Sequence, residues 1–133
     1  SCLYEIIFLY LYINKRDGEV MSNLLIGIIL FFIMHITIWV QVNGQFVWPW
    51  FKDNTLLISL FGLPISYILI IATKYIVEGF DGLLWPGRFI GFGAGMIVMA
   101  LFTWYFLGEG FSTKTLTSLL IATGLVCIQI FWK

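Results

Sequence analysis

Long apolar stretches alternate with short polar stretches along this chain. A helix of about 20 apolar residues crosses the hydrocarbon core of a bilayer, which is roughly 30 Å thick. Windows of that length predict four transmembrane helices, at residues 23–42, 55–73, 89–108 and 115–132. The polar stretches between them are too short to form a separate domain.

The polar breaks and one proline indicate how the predicted helices begin and end. Asn43-Gly44 is typical of a helix C-terminus and should end the first helix. The stretch "GEGFST" at 108–113 predicts a tight antiparallel connection between the third and fourth helices. Pro64 lies inside the second helix, where it removes a backbone donor and clashes with the preceding turn, so we expect a kink there.

Residues 1–20 allow two interpretations. Their apolar part, residues 3–13, is interrupted by Glu5, is too short to span a bilayer and lacks the small-residue cleavage site of a signal peptide. It could form an interfacial helix that ends at Lys15-Arg16. Alternatively, residues 1–20 are a non-native extension upstream of Met21. The domain organisation is therefore an N-terminal extension, 1–20, followed by a four-helix transmembrane domain, 21–133.

The composition indicates a membrane protein. Hydrophobic residues make up 61% of the sequence and charged residues 11%, which leaves too little polar surface for a soluble globule of 133 residues. The mean hydropathy is +1.00. We therefore predict an all-α polytopic membrane protein, a bundle of four transmembrane helices embedded in the lipid bilayer.

Charge and cysteine content exclude other classes. The formal net charge is zero and the basic residues are scattered, which argues against a nucleic-acid partner. Cys2 and Cys127 have neither metal-ligand spacing nor a disulfide framework. Ser59 and Ser66 have no base beside them in the sequence, so we expect neither an enzyme nor a cofactor.

The basic residues near the ends of the predicted helices predict the orientation, because lysine and arginine are retained on the cytoplasmic side. Five fall on one side of the membrane: Lys15, Arg16, Lys74, Arg88 and Lys133. Two, Lys52 and Lys114, fall on the other. We expect both termini in the cytoplasm and a location in a bacterial-type inner (plasma) membrane.

Glycines mark one face of the third predicted helix. Gly87, Gly91 and Gly95 recur every four residues and so share a face. Helices in lipid associate through close backbone approach rather than through a hydrophobic gain, and glycine permits that approach. We therefore predict that this face packs closely against a neighbouring helix. The stretch "GFGAG" is too weak a motif to indicate a nucleotide-binding loop.

The stretch "GMIVMALFTWYFLGEGFSTKTLTSLLIATGLVCIQIFW", residues 95–132, resembles the closing half of drug/metabolite transporters, particularly the small multidrug resistance proteins. The resemblance implies a four-helix bundle that works as a homodimer, often antiparallel. It places the substrate chamber among helices 1 to 3 and the dimer contact, with Gly124, on helix 4. Trp85 matches the chamber tryptophan in one alignment register, whereas another register puts Gly91 at that place.

The first predicted helix departs from that family. Its multidrug exporters need a membrane-embedded glutamate in helix 1, and residues 23–42 contain no acidic residue. His35 is the titratable group near the middle of this helix, and its unperturbed pKa of about 6.5 suits proton exchange. It could equally be a neutral histidine that hydrogen-bonds across helices. Trp39 and Asn43 follow at four-residue steps, and this stripe could line a chamber.

Arg88 enters the third helix close in sequence to Glu78 and Asp81. It could pair with these acids, attract an anionic group of a substrate, or extend to the interface.

Two functions are consistent with these features. The first is a small transporter of the drug/metabolite type that moves an unidentified small solute by alternating access, as a dimer. It predicts a polar, water-accessible cavity among the first three helices, with His35 or Trp39 in it. The second is a non-transporting membrane subunit or assembly factor that uses the glycine face of the third helix. It predicts a dry bundle with an outward-facing row of glycines.

Overall fold

A computed structural model describes residues 2–132 and contains α-helices, short connections and, within that range, no strand. The helices are α1 Cys2–Asn43, α2 Pro49–Asp53, α3 Thr55–Ser59, α4 Gly62–Gly79, α5 Trp85–Leu107 and α6 Thr113–Phe131. A 3-10 turn, Gly44–Phe46, follows α1. The predicted all-α class is confirmed.

Within the described range, four segments are long and apolar enough to cross a membrane: Cys2–Phe46, Thr55–Gly79, Trp85–Leu107 and Thr113–Phe131. The chain is accordingly an integral membrane protein. The third segment begins earlier than the sequence predicts because Pro86 stands in the first turn of α5, where proline has no hydrogen bond to lose.

Helix α1 is longer than the first predicted span. Its 42 residues extend for roughly 63 Å, about twice the thickness of a hydrocarbon core. Residues 2–19 belong to the same continuous helix as the predicted transmembrane part. The linking stretch "NKRDGE" lacks proline, so every backbone N–H in it can join the helix, although its asparagine, aspartate and glycine are weaker helix formers than its lysine, arginine and glutamate. One exposed ion pair, Arg16 to Asp81 at 3.3 Å, joins this stretch to the α4–α5 loop.

The second span is interrupted near Pro64, but the break lies one turn earlier, at Leu60-Phe61. Proline offers no N–H to the carbonyl four residues before it, and its ring crowds that carbonyl. For Pro64 that carbonyl belongs to Leu60. The carbonyl of Leu60 instead accepts from the N–H of Leu63 at 3.3 Å. This is the tighter bond of a 3-10 turn. The expected kink is thus a break between two helices, α3 and α4, rather than a bend within one helix.

The connection between α5 and α6 is as short as the sequence predicts. Gly108 ends α5 with a left-handed φ of 66°. Its N–H donates to the carbonyl of Trp104 at 3.1 Å, which is typical of a glycine at a helix C-terminus. Ser112 begins α6 as an N-cap, and its hydroxyl accepts from the N–H of Thr115 at 3.2 Å. Helix α6 therefore folds back on α5 and leaves most of its own surface exposed.

The protein core lies among α1, α4 and α5. Helix α1 packs most extensively on α4 and then on α5, whereas α4 and α5 touch each other little. Ile76 of α4 is completely buried and occupies the space over two glycines, Gly27 of α1 and Gly87 of α5. A Cβ added at Gly27 would lie 2.5 Å from Cγ1 of Ile76, and one added at Gly87 would lie 2.9 Å from its Cγ2. One isoleucine thus packs against the backbones of both neighbouring helices.

Candidate functional site

A groove of about 660 Å³ opens between α4 and α5, with α1 as its floor. It exists because α4 and α5 pack on α1 but have little contact with each other. Three of its lining side chains carry polar groups: His35 of α1, Thr73 of α4 and Arg88 of α5. The remaining lining is apolar side chains and glycine: Phe31, Met34, Ile38, Leu69, Leu84, Gly87, Gly91, Phe92, Gly95 and Met96.

His35 lies in the floor of this groove, where its half-buried ring covers Gly95 of α5. A Cβ added at Gly95 would stand 2.7 Å from Cε1 of the imidazole. Any residue other than glycine at position 95 would therefore force the ring to shift. The histidine ring thus packs on the backbone of α5 and at the same time lines the groove.

The other glycines of the α5 face are covered by side chains of the same chain. Phe31 lies over Gly91, with its Cε1 at 3.3 Å from an added Cβ, and Ile76 lies over Gly87. Gly93, offset from this face, is approached by Val126 of α6. The three-glycine face thus contacts α1 and α4 rather than facing outward. Gly124 of α6, by contrast, has open space around it.

Replacing Gly91 by leucine is expected to lower the free energy of unfolding by about 1 kcal/mol, since the new side chain must displace Phe31 from a packed interface. This net loss is what remains of an overpacking cost of about 2 kcal/mol after the better helix propensity of leucine, about 0.8 kcal/mol relative to glycine, is subtracted. The control is Gly18→Leu in α1, which gains the same helix propensity in open space. Unfolding in detergent monitors both, and equal stability of the two variants would contradict the packing role of Gly91.

Trp39 does not line the groove with His35. Each four-residue step turns by about 40° around a helix axis, so a stripe of such steps leaves its starting face. Trp39 is 3% exposed, and its indole N–H donates to the hydroxyl of Thr103 at 3.1 Å. Phe102 and Phe106 pack around it at centroid distances of 5.5 and 5.4 Å. Asn43, another turn along, also lies outside the groove lining.

Trp85 and Arg88 begin α5 but differ in position. Trp85 is 68% exposed, packs against Phe89 and does not line the groove. Arg88 lines the groove and forms no ion pair with another residue of the range 2–132. The pairing with Asp81 that the sequence allows is absent, because Asp81 contacts Arg16 instead.

A second cavity, about 400 Å³, lies between α5 and α6, and no charged side chain is among the described residues that line it.

The sequence did not point to Thr73, the third polar residue of the main groove, whose hydroxyl donates to the carbonyl of Leu69 at 2.8 Å. Nor did it point to Thr103, the partner of Trp39. Both are single threonines in apolar helices, which is the signal that could have identified them.

No protein-family model matches the chain, and neither a curated protein nor a solved structure shows a significant match. The resemblance to drug/metabolite transporters therefore stays a prediction from residues 95–132.

Proposed function

We propose that this protein is a small integral membrane transporter of the drug/metabolite type, which moves a small solute by alternating access and works as a homodimer. The observation that carries the proposal is the groove among α1, α4 and α5, whose volume is about 660 Å³. Pockets that bind small molecules have volumes of roughly 300–1,000 Å³. A mainly apolar lining with a few polar groups is also typical of such pockets.

The position of the groove supports the proposal further. It lies among the first three spans, and His35 of its lining is near the middle of the first span as predicted from the sequence, residues 23–42. Ionisable side chains are expensive in the hydrocarbon region and are usually found on substrate or proton pathways. Helix α6 lies outside this groove and has a largely exposed surface, which is available for a second copy of the chain.

The alternative function, a non-transporting subunit that binds partners through the α5 glycines, is not favoured by a specific observation. Those glycines contact Ile76, Phe31 and His35 of the same chain.

Water access to the groove tests the chamber without knowledge of the substrate. In a protein freed of its two cysteines by Cys2→Ser and Cys127→Ser, we expect His35→Cys to react with a membrane-impermeant thiol reagent in liposomes. The control is Ile36→Cys, the next residue on the same helix, which is 38% exposed and does not line the groove. If neither cysteine reacts, the bundle is dry and the transporter proposal fails.

We expect His35→Ala to abolish the pH dependence of solute flux in proteoliposomes while leaving the folded fraction unchanged. The physical reason is that His35 is the titratable side chain of the groove whose ordinary pKa lies in the physiological range. Flux of labelled anionic, neutral and cationic solutes is measured across a pH gradient, with Ile36→Ala as the matched control. A pH dependence that survives in His35→Ala would remove this histidine from the coupling mechanism.

A further inference from the structure

We infer that the groove binds an anionic amphiphile, a solute with one anionic group and an apolar body, and that Arg88 contacts the anionic group. As a statement about a substrate this rests on the proposed function, although binding itself can be measured without transport.

Charge is the first argument. Among the described residues that line the groove, Arg88 is the one with a permanent charge, and none is an aspartate or a glutamate. A guanidinium presents five donors in a planar fork that matches a carboxylate or a phosphate. Within residues 2–132 its ion-pairing capacity is unused, because the nearby Asp81 is paired with Arg16. A cationic solute would find no opposite charge in this groove.

The position of Arg88 at the beginning of α5 is the second argument. The N-terminal end of a helix carries a partial positive charge and N–H groups that lack partners within the helix. The backbone N–H of Arg88 is already bonded to the carbonyl of Leu84, so the helix end contributes its partial positive charge rather than this N–H. Gly87 of the same turn also lines the groove, and the partial charge of the helix end has the same sign as the guanidinium.

The apolar surface beyond Arg88 indicates the rest of the ligand. Gly95, under His35, is seven residues further along α5, which corresponds to about 10 Å along the helix axis. Apart from His35 and Thr73, the rest of the lining consists of apolar side chains and glycine, including Phe31, Phe92 and Met96. A fully polar anion would lose its hydration against this surface without compensation. A molecule with an anionic head and a hydrocarbon body matches both Arg88 and the apolar lining.

Photocrosslinking in phosphatidylcholine nanodiscs tests the inference with defined probes. The probes are decanoic acid, decanol and decylamine, each carrying the same diazirine in its chain, and the modified residues are identified by mass spectrometry. We expect the acid to label groove residues at least about tenfold more than the alcohol or the amine, as one charge-assisted contact implies. Equal labelling by the three probes would overturn the inference.

Two variants assign the effect to Arg88. Arg88→Gln is expected to reduce groove labelling by the acid about tenfold or more, while Arg88→Lys, which keeps the charge, retains part of it. Lys74→Gln, which removes a cation of α4 outside the groove lining, should leave labelling unchanged. Thermal unfolding in detergent checks that each variant is folded. Undiminished labelling of folded Arg88→Gln would contradict the inference.

The source of the anionic group is distinguished by adding anionic phosphatidylglycerol to the nanodiscs. Labelling by the acid that persists supports a solute site, whereas labelling that disappears identifies the occupant as a lipid headgroup and overturns the assignment. The two proposals can also fail separately. Selective labelling without flux would refute transport alone, and flux without charge-selective labelling would refute the anionic ligand alone.

Discussion

Replacing Ile76 by alanine is expected to lower the free energy of unfolding by about 2 kcal/mol, at the lower end of the roughly 2–5 kcal/mol lost by comparable substitutions in protein cores. The lower end applies because lipid solvates an isoleucine as well as a protein core does, so that lost packing dominates. Ile76 is 0% exposed and fills the space over Gly27 and Gly87, so its removal leaves a gap among all three core helices.

Denaturant titration in bicelles measures the effect, with Ile70→Ala as the control. Ile70 belongs to the same helix but is 69% exposed. Its truncation should therefore change stability by only a few tenths of a kcal/mol. A second change sharpens the test. In Ile76→Ala, an added Gly27→Ala should cost less than it does in the wild type, where the new methyl would meet Ile76. Additive losses would show that the two positions do not share this space.

The transmembrane helices were predictable from hydropathy, because an apolar run of the required length has few alternatives in a bilayer. The helix break near Pro64 was also predictable, since it follows from proline chemistry. Its displacement to Leu60-Phe61 follows from the missing N–H, which affects the carbonyl one turn earlier. The continuity of α1 was not predicted, because the polar stretch at 14–19 ends an apolar run in hydropathy but contains no proline that would break the helix.

The packing of individual side chains could not be predicted from hydropathy. Many isoleucines occur in these spans, and hydropathy gives Ile70 and Ile76 the same value although one faces outward and the other is buried. Which residue is buried depends on how the helices are rotated against each other. That rotation is a property of the assembled bundle, where Gly27 and Gly87 together accommodate Ile76.

The candidate site shows the same difference between what residue type predicts and what packing decides. His35 and Arg88 were identified from their chemistry, as ionisable residues at or near apolar spans, and both line one groove. Trp39 was proposed as a chamber residue from spacing alone, and in the structure it lies outside the groove lining. Its indole is turned toward α5, where it finds in Thr103 an acceptor that the spacing argument did not consider. A polar group in lipid is positioned by its partner as much as by its place on the helix.

Trp39→Ala is expected to lower the free energy of unfolding by about 3 kcal/mol, the largest effect among these variants, because a buried tryptophan loses both its packing and a hydrogen bond. A double-mutant cycle isolates the hydrogen bond. Trp39→Phe and Thr103→Val are measured singly and together, and the coupling energy is the part of the loss that is not additive. Interhelical hydrogen bonds in membranes average about 0.6 kcal/mol and reach about 1.7 kcal/mol, so we expect a coupling energy in that interval. Trp104→Ala, at a neighbouring tryptophan that is 54% exposed, is the control. A coupling energy of zero would show that Trp39 stabilises the α1–α5 pair through packing alone, with no contribution from its N–H.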